Sequence, residues 1–154
     1  MSLIDAVVNG IHLGFAGLWV GSVVFVTLVV LPIAREGAFD AAPLETLTNR
    51  FTWISRTSVL LLFVSGGHLA GTRYTADSLF GSGQGHLVLT MVGLWFALAL
   101  LVELGSKRLA SGLAERKVRQ PAREARPYFL AATVVGVLLF VDAALLSVPT
   151  AIPF

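Results

Sequence analysis

The chain contains no cysteine. Disulfides, thiolate metal centres and cysteine nucleophiles are therefore excluded. Methionine is almost as scarce, with only Met1 and Met91, so soft metal ions that prefer sulfur would find no ladder of ligands. Charge is also thin. Asp, Glu, Lys and Arg make up 13% of the 154 residues, against roughly 25% in a soluble domain. No Lys or Arg precedes the first apolar run. That run lacks the charged start of a secretory signal, so its span is expected to be retained.

What fills the chain instead is hydrophobic side chains, at 56%, with a mean hydropathy of +0.83. Lipid must be the solvent for much of the surface. The length fits a single transmembrane domain over 1–154. The pI of about 9.5 would point to nucleic acid in a soluble protein. Here the basic residues lie between apolar spans, so no nucleic-acid partner is expected.

Four stretches approach the roughly 20 apolar residues that a spanning helix needs. They run over about 5–33, 55–74, 86–105 and 128–148. Pro32 is expected to end the first and Pro149 to close the fourth. Arg56 and Arg73 bound the short second span and can snorkel to the interfaces. None shows period-two alternation, which argues against barrel strands. The fold class is therefore all-α, an integral membrane four-helix bundle. Pro43 followed by Leu44, Leu47 and Phe51 predicts a short interfacial helix before the second span. The third span is expected to continue as helix until Pro121 breaks it.

The basic residues set the direction. Arg35, Arg50 and Arg56 follow span one, and seven more lie between Lys107 and Arg126. Only Arg73 follows span two. The positive-inside rule puts connections one and three in the cytoplasm and both termini outside, in a multi-pass protein of the cell membrane. The seven charges of connection three set orientation and would also favour anionic headgroups.

This topology gives the polar residues meaning. His12, His68 and His86, all the histidines of the chain, fall toward the outer side, with Asp5. Asp142 lies in the outer half of span four. By helical phase Asp5, Asn9, His12 and Trp19 share one side of span one. Ser58, Ser65, His68 and Thr72 form a stripe on span two, and His86, Thr90, Gly93 and Ala97 a seam on span three. Such stripes normally face the interior, because lipid cannot satisfy their hydrogen bonds. Span one carries a second face, Gly10, Gly14, Gly17 and Gly21, with Gly67 and Gly71 of span two as a matching surface. These six are expected to pack helices, inside the bundle first, or else against a second copy or a larger membrane complex.

Each polar residue has a plain reading and a sharper one. A membrane histidine is often only an interhelical hydrogen-bond partner. Asp142 stands out, since a carboxylate in hydrocarbon costs ~2.5–3.5 kcal/mol even on the permissive scale. It should be neutral, or paired with His68 or Arg73. The sharper reading takes His12, His68 and His86 as metal or haem ligands, with Asp142 and Asp5 orienting them. Two axial histidines in a helix bundle would also suit a b-type haem. Glu103 beside Lys107 reads as an interfacial ion pair.

Ile11-His12-Leu13, Leu18-Trp19-Val20-Gly21 and Leu31-Pro32 together resemble the opening helix of the CopD-type copper-resistance membrane domain. Arg50-Phe51, Ser65-Gly66 and Gly85-His86-Leu87 are similar to later positions of that family. The resemblance covers most of the chain through short motifs. It implies copper uptake or tolerance, with haem binding suspected in relatives, and His12 is its best-matched functional position. The missing methionine and cysteine ladder favours Cu(II) or haem over Cu(I).

Three functions stay open at this point. One is copper handling at the outer face through the histidines. Another is b-haem electron transfer. The third is a small structural subunit of a larger complex. No nucleophile–base pair is recognisable, which disfavours a hydrolase or transferase.

Overall fold

The computed structural model describes residues 2–148, all of whose regular elements are helical. Ser2 caps α1 (Leu3–Phe25): its hydroxyl accepts from the Asp5 N–H at 3.1 Å, and the Asp5 carboxylate accepts the Ser2 N–H at 2.9 Å. This reciprocal box satisfies donors that a helix start leaves free.

Pro32 does not end the first helix, as had been expected. α1 passes through a π-helical turn (Val26–Val30) directly into α2 (Leu31–Glu36), with Pro32 in its first turn. A proline ring crowds the carbonyl four residues back and offers no N–H. The wider turn, in which the Leu31 N–H reaches the Val26 carbonyl, accommodates both defects. The actual stop is Gly37, at φ +80°, where Gly37 and Ala38 N–H groups bond the Ala34 and Ile33 carbonyls. That left-handed exit favours glycine.

α3 (Ala41–Arg73) is one helix of 33 residues. The separate interfacial helix expected around Pro43 is simply its start, where proline is tolerated because those N–H groups have no helical partner. A short α4 (Ala76–Gly81), capped by Thr75, was not foreseen. α5 (Gly83–Ala114) ends well before Pro121, at a left-handed Arg116 with φ 58°. Pro121 therefore does not break this helix. It lies in the first turn of α6 (Arg119–Leu146), which also carries Pro127. Pro149 lies outside the described residues.

α1 packs on α3, α3 on α5, α5 most extensively on α6, and α6 returns to α1, the π turn and α2. The core between them holds Trp19, Leu31, Leu44, Leu98, Leu109 and Phe129, all fully buried. Thr27 bridges to α6 through its hydroxyl, which shares its proton between the Val23 carbonyl at 2.7 Å and the Phe129 carbonyl at 3.1 Å and accepts from Thr133. The glycines that allow close approach are Gly105, Gly112 and Gly136. A Cβ at Gly105 would lie 2.9 Å from the Phe129 ring, and one at Gly136 would lie 2.8 Å from Val20 Cγ1.

The six glycines expected to pack helices do not do so within this chain. A Cβ at Gly10, Gly14, Gly17, Gly21, Gly67 or Gly71 would meet nothing within 4 Å. The spacing was regular, but it is the polar side of α1 that makes the side-chain contacts with α3, while Gly17 and Gly21 only border a groove beside its first half.

Polarity runs inside out relative to a soluble protein. Leu28, Leu60, Phe63, Val64 and Val134 are each at least 60% exposed, while Thr27, Ser55, Ser58, Ser65 and Asp142 are buried. Among the described residues three helices are long and apolar enough to cross a membrane: Leu3–Glu36, Gly83–Ala114 and Arg119–Leu146. In α3 the apolar stretch is bounded by Arg56 and Arg73 and interrupted by Ser65, Gly66, Gly67 and His68. The ends joined by connections one and three come together, with Gly37 of the first against the Arg119 guanidinium.

Candidate functional site

The seam between α1 and α3 brings two of the polar stripes face to face. Three side-chain contacts close it like rungs. Trp19 Nε1 donates to Ser55 Oγ at 2.8 Å, His12 Nδ1 meets Ser65 Oγ at 2.8 Å, and His68 Nε2 meets Asp5 Oδ1 at 3.4 Å. Asp5, His12 and Trp19 recur every seven residues, which keeps them on one side of α1 over two turns at a time.

The middle rung favours one tautomer of His12. Ser65 Oγ donates its own proton to the Leu61 carbonyl at 2.6 Å. With that proton committed to Leu61, the hydroxyl accepts from His12, which selects the tautomer that carries its proton on Nδ1. Nε2 is left with a bare lone pair, the form in which imidazole binds a metal ion. The next residue completes the seat. A Cβ at Gly66 would lie 3.1 Å from His12 Cε1, so glycine there clears the ring while serine orients it. The Ser65-Gly66 pair thus works as one unit on His12, which is half-buried in the seam.

Across the interior lie polar groups from the other two long helices. Asp142 on α6 is 5% exposed, and its Oδ2 has no hydrogen-bond partner among the described residues. Trp95 Nε1 on α5 and Ser58 Oγ on α3 are likewise buried without a partner. Close contacts fix the relative heights. Phe63 stacks on Trp95 at 5.7 Å, Gly105 faces Phe129, and Gly136 faces Val20. Counting along antiparallel helices from those pairs puts His12, Ser65, Trp95 and Asp142 within about one turn of a common level. Trp95 was not singled out from the sequence. Its signal is position: tryptophan gathers at membrane interfaces, whereas Trp95 sits in the middle of the third apolar run.

The remaining expected ligands are held apart. His68 pairs with Asp5 at the end of the seam, seven residues or about 10 Å outward from His12 along α1. His68 is therefore not paired with Asp142. His86 is exposed and bonds the Phe80 carbonyl at 2.9 Å, tying α5 to α4. The three imidazoles answer to three different partners. No group of three or more His, Asp or Glu side chains able to hold a metal ion occurs among the described residues. Glu103 accepts from Arg56 at 2.8 Å and lies 3.5 Å from Lys107, so the expected i,i+4 pair is joined by an interhelical one.

A family model described as Copper resistance protein D matches residues 45–146, about two thirds of the chain. The chain belongs to the copper resistance protein D family. The matched segment includes Ser65, Gly66, His68, His86 and Asp142, and His12 lies before it. No curated protein and no solved structure matches the chain. Family membership and the apolar helices together make it a multi-pass membrane protein linked to copper resistance.

Proposed function

We propose that this protein handles copper as cargo from the outer face of the cell membrane, in uptake or tolerance. The reading takes the chain as one transmembrane domain of four spans, a four-helix bundle with both termini outside. The basic connections support that orientation. The exposed apolar residues Leu60, Phe63 and Val64 support α3 as a span. The observation that carries the copper reading is the His12 seat, an interior imidazole held by Ser65 and Gly66 with Nε2 free.

The donors do not form a closed cage, and that bears on mechanism. Asp5 and His68 offer one carboxylate and one imidazole near the outer end of the seam. His12 offers one imidazole about 10 Å further in, level with the Asp142 carboxylate. Oxygen and nitrogen donors suit Cu(II) better than Cu(I). Few donors per stop favour passage over storage, since a cargo ion must leave as readily as it enters. In this reading His86 is a tether for α4 and not a ligand.

The test is copper binding and uptake by the full chain in liposomes, with a visible spectrum of the same preparation. Wild type is expected to take up Cu(II), and His12→Ala to lose most of that uptake while remaining folded. A Soret band that disappears in His12→Ala would replace copper by b-type haem. Unchanged uptake in His12→Ala would reject the seat as the working site, and wild type with neither uptake nor a Soret band would leave the chain a structural membrane subunit.

A further inference from the structure

The glycine side of α1 has one consequence within the fold. Gly17 and Gly21 carry no side chains toward the first half of α3, and a groove of about 680 Å³ opens there. Its wall is apolar, from Leu18, Phe25 and Ile54 among others, and Arg50 lies along it. Arg50 is exposed and forms no ion pair or side-chain hydrogen bond among the described residues. Its neighbour Phe51 is buried against Phe129 at 5.7 Å between ring centroids, so the backbone that carries Arg50 is anchored.

The height of this groove identifies what meets it. The Trp19–Ser55 rung aligns the two helices. Hydrocarbon about 30 Å thick corresponds to roughly 20 helical residues. Counted from the start of α1, its far boundary falls close to Phe25, which is level with Arg50 on α3; Arg56, roughly 9 Å higher, is paired with Glu103 and can snorkel down to that boundary. Trp53, 70% exposed, lies one turn from Arg50 at the same boundary, where tryptophan gathers. The groove therefore runs from the headgroup layer, at Arg50, up into the acyl layer, at Gly17 and Gly21.

We infer that this groove holds one anionic phospholipid of the leaflet at the basic end, with its phosphate on Arg50 and an acyl chain laid over the glycines. The free guanidinium selects the headgroup charge, and the missing side chains supply the room. The inference rests on the span assignment above but not on copper, since neither Arg50 nor the two glycines touch the His12 seat.

The full chain, purified in detergent, would be titrated with phosphatidylglycerol or phosphatidylcholine and the bound lipid counted by native mass spectrometry. Wild type is expected to hold one phosphatidylglycerol per chain, preferred about tenfold or more over phosphatidylcholine, in line with one charge-assisted hydrogen bond. Arg50→Gln should abolish the preference. Gly21→Leu, which meets no neighbouring atom at its Cβ, should fold normally and displace the lipid altogether. Equal binding of the two lipids by wild type would overturn the inference. So would retention of the bound lipid in Gly21→Leu, because adsorption to Arg50 would then need no groove. Copper uptake should be unchanged in both variants, so failure here and failure of the copper reading are separable.

Discussion

Two glycine-to-alanine changes test the helix arrangement directly. At Gly136 an added Cβ would stand 2.8 Å from Val20 Cγ1 and 3.4 Å from Cγ2. Val20 is 5% exposed and packed in the core, and its β-branched side chain has little rotamer freedom in a helix. The clash can be relieved only by moving α6 away from α1, an overpacking cost of about 1–3 kcal/mol. At Gly14 the same methyl meets nothing within 4 Å. Both sites lie inside helices, so both gain the same ~0.5–1 kcal/mol of alanine propensity. The difference between the variants therefore isolates packing. Gly136→Ala should fall below Gly14→Ala by about 1–3 kcal/mol, or roughly 5- to 150-fold in the unfolding equilibrium. Reversible unfolding in mixed micelles, followed by circular dichroism, would measure it. Equal stabilities, or a larger loss at Gly14, would refute the packing of α6 on α1. A loss at Gly14 that depends on protein concentration would instead mean that the glycine side of α1 is covered by a second copy.

Two further changes probe the interior. Ser65→Ala removes the acceptor of the His12 Nδ1 proton and should cost about 0.6–1.7 kcal/mol, the range for interhelical hydrogen bonds in membranes. If copper passes by His12, its affinity should also drop about 10- to 100-fold; a full-strength copper isotherm would separate the seat from the function. Asp142→Asn keeps the shape of the side chain and removes its capacity to ionise. Since Oδ2 has no partner among the described residues, stability should stay within about 1 kcal/mol of wild type or rise. A loss beyond about 3 kcal/mol in thermal or detergent unfolding would reveal a buried ion pair.

Much of this protein was legible in its residue order. Hydropathy alone gave helices and lipid as solvent, because long apolar runs have no other stable state. Helical phase found the stripes Asp5–His12–Trp19 and Ser58–Ser65–His68, and polar groups in lipid must turn inward. Short motifs pointed to the copper resistance protein D family. The prolines misled, since a proline marks where a helix loses one hydrogen bond and not whether its neighbours will absorb the loss. Pro32 is absorbed by a π turn, and Pro121 by the first turn of α6.

Only the tertiary arrangement decided which polar group meets which. His12, His68 and His86 share one end of the molecule, yet each is bound to a different partner. Which glycines pack was equally invisible: Gly105 and Gly136 touch neighbouring helices, while the regular series on α1 does not. The physical reason is the same in both cases. Periodicity fixes the face on which a residue lies, because it follows from the geometry of one helix. The identity of the opposing atoms depends on the register and rotation between helices, and those are settled by all the contacts acting together.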